Sequence, residues 1–196
     1  MDREYQDLLR LVTKLLIVAA MMYGVYRQKK KNKAMLGQAA QELNGSFDDK
    51  IGGKGRFVFS GAGGATCSVW LTQQRNSQPG RLYLQVDRSP QFRFSIKTKR
   101  SFWQRSFLDI IPRGQVVSLG MEFDSLAKLR AGDPIQTQFH FNDSRRREAL
   151  TYLLAAGFNT ITADGTKMIA VKDNFTPVDL DSQNLNSFAN AVISLG

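Results

Sequence analysis

From Leu15 to Tyr26 the chain carries no charged residue, and five cations follow at once: Arg27, Lys29, Lys30, Lys31 and Lys33. The surrounding stretch, Leu8 to Lys33, reads LLRLVTKLLIVAAMMYGVYRQKKKNK. An apolar helix closed by a cationic cluster is the pattern of a membrane anchor. Crossing the hydrocarbon core takes about 20 apolar residues. Extension back to Leu8 brings in Arg10, Thr13 and Lys14. A start near Leu11 leaves only Lys14 to snorkel to the headgroups. On this reading Leu15, Leu16, Ile17, Val18, Met21 and Met22 are the apolar body, and Tyr23 and Tyr26 sit at the interface. Gln6, Arg10, Thr13 and Lys14 share one helical face, so a helix lying flat on a bilayer is an alternative; burial within a soluble domain is another. A cleaved signal peptide is not expected, because the cations follow the apolar run.

Flanking Lys and Arg set orientation. The five-cation cluster makes the C-terminal side positive. The expected placement is a single pass through the inner membrane, N-terminus outside and domain in the cytoplasm. The flank would attract anionic lipid headgroups at about 1 kcal/mol per cation.

Residues 34–196 are long enough for one domain with a core, after an anchor and basic flank at 1–33. Half of the net charge of +10 lies in residues 1–33, so the domain is mildly basic itself. That suits an anionic partner without naming one. A lone cysteine, Cys67, excludes an internal disulfide.

The apolar stripe Met35, Leu36, Ala39, Ala40 and Leu43 predicts that helix continues to Asn44-Gly45. From Phe57 the period falls to two. RFVFSG, CSVWLTQ, LYLQVDR and RFSIKTK read as strands, separated by turns at GAGGAT and NSQPG. Ser101 to Pro112 reads as a helix with Trp103, Phe107, Ile110 and Ile111 on one face. Val116–Phe123 and Ile135–Phe141 alternate and predict strands. Asn142 or Asp143 caps a helix over Ser144 to Ala156, closed by Gly157. Thr160–Thr162 and Met168–Val171 predict a hairpin about Asp164-Gly165. A last helix starts near Asp181 and turns Leu185, Phe188, Ala189, Val192 and Ile193 inward. The class is α+β: an N-terminal membrane helix, then a mostly antiparallel sheet with helices packed in the C-terminal half.

The residues that could carry chemistry are few. One His and one Cys cannot build a zinc cluster, and no cofactor or metal is expected. His140 falls on the polar side of its expected strand and reads as an exposed bystander. No G-x-S-x-G elbow surrounds a serine. Cys67 opens an apolar strand and reads as a buried thiol. Gly52–Gly55 and Gly61–Gly64 lack the Lys-Ser/Thr of a phosphate loop and read as turns. Glu122 and Asp124, two apart on an expected strand, would share a face and could serve acid–base work; ion pairing with Lys128 and Arg130 is the plainer reading. Asp179 and Asp181 read as helix-start residues.

Cations and aromatics interleave from Arg88 to Arg113. Ordinary core with solvated charge is the plainer reading; as candidates for an anionic partner, Lys99, Arg100, Trp103 and Arg105 suit lipid headgroups or, less favoured, nucleic acid. Arg145, Arg146 and Arg147 open a helix, where the dipole disfavours cations; a solvated face is the plainer reading, and a contact for an anionic partner is the alternative.

Glu122-Phe123-Asp124, Asp133-Pro134, Arg147-Glu148-Ala149-Leu150 with Leu153-Leu154, Asp164-Gly165 and Met168-Ile169-Ala170 resemble certain uncharacterised bacterial membrane-anchored proteins. The resemblance spans Glu122 to Phe175. It implies an anchor plus a cytoplasmic α+β domain and brings no activity, since that family has none assigned. The second long membrane segment that such proteins often carry is missing here.

The function expected from these features is binding or scaffolding by a membrane-anchored domain, with a protein partner and anionic lipid as contacts. The alternatives are an anchored enzyme using Glu122 and Asp124, or a basic nucleic-acid-binding domain.

Overall fold

Alternation of apolar and polar residues dictates most of the strands, and they join into one sheet. The computed structural model describes residues 3–48, 56–72, 80–99 and 114–196. Its nine strands are β1 (Ser46–Asp48), β2 (Arg56–Ser60), β3 (Thr66–Thr72), β4 (Arg81–Val86), β5 (Phe94–Thr98), β6 (Gln115–Val117), β7 (Ala127–Ala131), β8 (Phe158–Ala163) and β9 (Met168–Asp173). The order is β1-β2-β3-β4-β9-β8-β5-β7-β6, and every pairing is antiparallel.

One face of this sheet is the core face. Phe57, Val69, Leu84, Ala170, Ile161 and Ile96 run across it, all fully buried. Each large aliphatic side chain so removed from water stabilises by about 1.5–3 kcal/mol. Two helices pack there: α4 (Ser144–Ala155), through Leu150 and Leu153, and α5 (Ser182–Ser194), through Leu185, Phe188, Ala189 and Val192. Asp143 and Asp181 cap them, accepting the amides of Arg145 and Gln183 at 2.9 Å.

The first helix, α1, runs unbroken from Arg3 to Glu42. Its C-terminal turns bury Leu36, Ala39 and Ala40 in the core. Asn44 then takes φ 50° and the chain turns into β1. Gly45 is required by close approach: a Cβ there would fall 2.5 Å from the Val58 carbonyl oxygen.

The spanning helix is corrected. Among the described residues no helix is long and apolar enough to cross a membrane. Arg10 and Lys14 interrupt the stretch before Leu15, and what remains is shorter than the roughly 20 residues required. The membrane helix of the expected fold class goes with it. So do the single-pass inner-membrane placement and the orientation that followed from it.

Two expected strands are also corrected. Val116 to Phe123 is strand only as far as Val117. Gly120, at φ +112°, turns the chain out of the sheet into α2 (Met121–Leu126). Ile135 to Phe141 is the helix α3 (Pro134–His140), capped by Asp133 with proline in its first turn. It turns Thr137, His140 and Phe141 inward and leaves Ile135 and Phe139 in solvent. Ala127–Ala131, unassigned from the sequence, supplies β7. The Asp164-Gly165 hairpin forms as expected. The readings on Gly52–Gly55 and on Ser101–Pro112 lie outside the described residues.

Candidate functional site

The longest run of exposed large apolar side chains among the described residues is the N-terminal half of α1. Leu11, Leu15, Met21, Met22, Tyr23 and Tyr26 are each about three-fifths exposed or more, and Leu16, Ile17, Val18 and Val25 are exposed beside them. This half projects past the turns that pack on the sheet. Arg27, Lys30, Lys31 and Lys33 follow on the same helix, as does Lys29 by position. Leu, Ile and Val surface of this extent in water normally marks an interaction site.

The other candidate cations are placed differently. Lys99 is exposed just past β5. It borders a cavity of about 800 Å³, walled by Leu126, Leu154 and Phe158 and by the polar Ser125 and Asn159. That volume is in the range of small-molecule sites. Arg100, Trp103 and Arg105 lie outside the described residues. Arg146 and Arg147 donate to the carbonyls of His140 and Phe141, at the end of α3. The cations that look misplaced at the start of α4 thus serve the C-terminus of α3, where the dipole favours them. Arg145 is exposed on α4.

The carboxylate pair is not brought together. Glu122 and Asp124 lie in the first turn of a helix, not along a strand, so they do not share a face. Asp124 accepts from Ser118 Oγ at 2.5 Å and from the Leu119 amide at 3.2 Å, and so works as a local cap. Cys67 is buried, as expected. Burial pushes its thiol up to about 11, which leaves it protonated and unreactive at neutral pH. Among the described residues, no group of three His, Cys, Asp or Glu could hold a metal ion.

His140 is not an exposed bystander. It is buried, with its ring edge-on to Phe92 (5.0 Å) and Phe141 (5.2 Å), and its Nε2 lies 2.7 Å from the Leu195 carbonyl oxygen. Nε2 therefore carries the proton. Burial lowers its pKa; the Leu195 contact and Asp143 oppose this, and Arg146 adds to it. The unfolded chain then binds a proton more readily, so stability is full above the ordinary value of 6.5 and falls as pH drops through it. The expected result is a lower melting temperature at pH 5 than at pH 7, with a smaller drop in His140→Gln. Equal drops in the two proteins would remove this role. Asp164 and Glu42, both lowered, titrate below this window.

A polar cluster that local sequence does not signal joins β4, β9 and β8. Arg81 Nε donates to Asp173 Oδ1 at 2.7 Å, and Asn159 Nδ2 donates to the other oxygen. A second ion pair links Lys172 on β9 to Asp179, just before α5, at 2.6 Å. The first depends on strand register, which sets Arg81 beside Asp173; the second spans the turn that follows β9.

The geometry defines a class first: an α+β domain with a continuous antiparallel sheet, helices on its core face, and a long helix projecting from it. No protein-family model and no curated protein matches the sequence. Among solved structures, the chain is similar to the crystal structure of the mycobacterial trehalose monomycolate transport factor A, TtfA, with a TM-score of 0.55. The match covers 84% of this chain and 96% of that one at 7% identity. The likeness is one of fold.

Proposed function

We propose that this protein is a binding or scaffolding module, with the α+β domain as platform and the exposed half of α1 as the arm that engages a partner. The observation that carries the reading is the arm itself: a row of exposed large apolar side chains, Leu15 at 60% and Met22 at 69% among them, continuous with a helix anchored in the core. Leaving that surface in water is unfavourable by about 25 cal/mol per Å², so a partner that covers it gains affinity. The likeness to a transport factor agrees with a role in binding.

The arm's partner is read first as a protein. A second reading, the surface of a bilayer containing anionic lipid without crossing it, is favoured by the cations that follow the apolar run. The test places a photo-crosslinker at Tyr23 on the arm and, separately, at the exposed Gln183 on the domain of the full chain in cells. Adducts of discrete mass are expected from Tyr23 and should vanish with Leu15→Glu/Met22→Glu. No adduct from the arm, or adducts unaffected by the charged pair, would overturn the arm reading.

A further inference from the structure

We propose that the arm pairs antiparallel with the arm of a second copy of this chain, through Leu11, Leu15, Val18, Met22 and Val25. This deepens the preceding reading and rests on its claim that α1 is an interaction arm. Spacings alternating between three and four residues place these positions in one stripe along the helix. The described members, Leu11 to Val25, are between 52% and 69% exposed. The stripe continues, past Lys29 and Asn32, along the side of the helix that packs Leu36 and Ala40 into the core. One side of the helix therefore meets the domain at one end and is uncovered at the other.

Two features select the occupant. In an antiparallel pair Leu11 stands opposite Met22 of the second copy, and Leu15 opposite Val18. The two-fold axis repeats each match, so every layer is apolar, as a self-complementary interface requires. Charge selects the direction. A parallel pair would set the Arg27–Lys33 cluster against itself, and like charges across a helix pair repel.

The test uses the full chain with single cysteines under mild oxidation. Cys67 is buried and stays silent, with the unaltered chain as control. Leu11→Cys mixed with Met22→Cys should give a disulfide-linked dimer. Met22→Cys alone should not; a crosslink there means a parallel pair and overturns the proposal. Sedimentation gives the second readout. Val18→Glu should weaken self-association by about tenfold or more, since a carboxylate would be buried without a partner. Leu16→Glu, on the other side of the helix, should leave it intact. Both positions are exposed in the single chain, so neither change threatens its folding. A monomer at every concentration overturns the proposal. If that monomer floats with phosphatidylglycerol vesicles, the occupant is lipid and the arm reading stands. If it neither floats nor gives Tyr23 adducts, the arm reading falls as well.

Discussion

Replacing Asp179 by alanine is expected to destabilise the protein by about 3–5 kcal/mol, the cost of stranding one partner of a buried ion pair. One oxygen of Asp179 receives Lys172 Nζ at 2.6 Å; the other accepts the Thr176 amide at 2.7 Å and its hydroxyl at 3.1 Å. Both charged side chains are less than one-sixth exposed. Without the carboxylate, the ammonium is left with the ring of Phe188, 5.8 Å away, and a cation–π contact does not replace a salt bridge at 2.6 Å. The turn before α5 loses its cap in the same step. Urea titration at neutral pH measures the loss. Lys172→Met should cost less, because Asp179 keeps its bonds from the Thr176 amide and hydroxyl, and adding it to Asp179→Ala should recover part of the loss. A change under about 0.5 kcal/mol in Asp179→Ala, the range of an ordinary surface substitution, would show that the pair is solvated.

Phe94→Ala is expected to cost about 3–5 kcal/mol. Phe94 is wholly buried on β5, with Ala163 of β8 and Ala131 of β7 as its cross-strand neighbours. Two alanines beside a phenylalanine leave the ring to fill the space, and neither can expand when it is removed. Its edge also meets Phe141 at 5.3 Å and 77°, an arrangement worth about 0.5–1.5 kcal/mol more. Denaturant unfolding gives the value, with Phe139→Ala as the comparison. Phe139 is 81% exposed and its loss should be near zero. Similar losses at the two positions would place Phe94 outside the core.

Local chemistry explains which parts of this fold were legible in the sequence. The Asp164-Gly165 turn, the Asp143 and Asp181 caps and the alternation in β2 and β4 are each set by neighbours a few residues apart, and all appear as expected. The α3 segment shows how periodicity misleads. Ile135, Thr137, Phe139 and Phe141 alternate, but Asp133-Pro134 in front of them is a helix start, and that signal prevails. His140 could not be placed because its environment comes from Leu195 and Phe92, both more than 40 residues away in sequence. The role of Arg146 and Arg147 is hidden for a related reason: their acceptors lie at the end of the helix before them, whose alternation predicts a strand. The N-terminal segment reads as a helix with a cationic flank, and that stands; the membrane span does not, because Arg10 and Lys14 leave too short an apolar run.

The position of the β8–β9 hairpin also orders events in time. β4 and β5 follow one another along the chain, yet this hairpin, residues 158–173, lies between them in the sheet. A nascent chain that has released β7 therefore holds two half-sheets, β1 to β4 and β5-β7-β6, that cannot yet meet. Each presents an unpaired margin of the kind that recruits other chains. Only when residues near 173 leave the ribosome can the hairpin insert and join the halves, and α5 follows directly to cover them. The slow step in biogenesis is thus a late, long-range insertion. A ribosome stalled before that point would hold a chain with both margins open to aggregation.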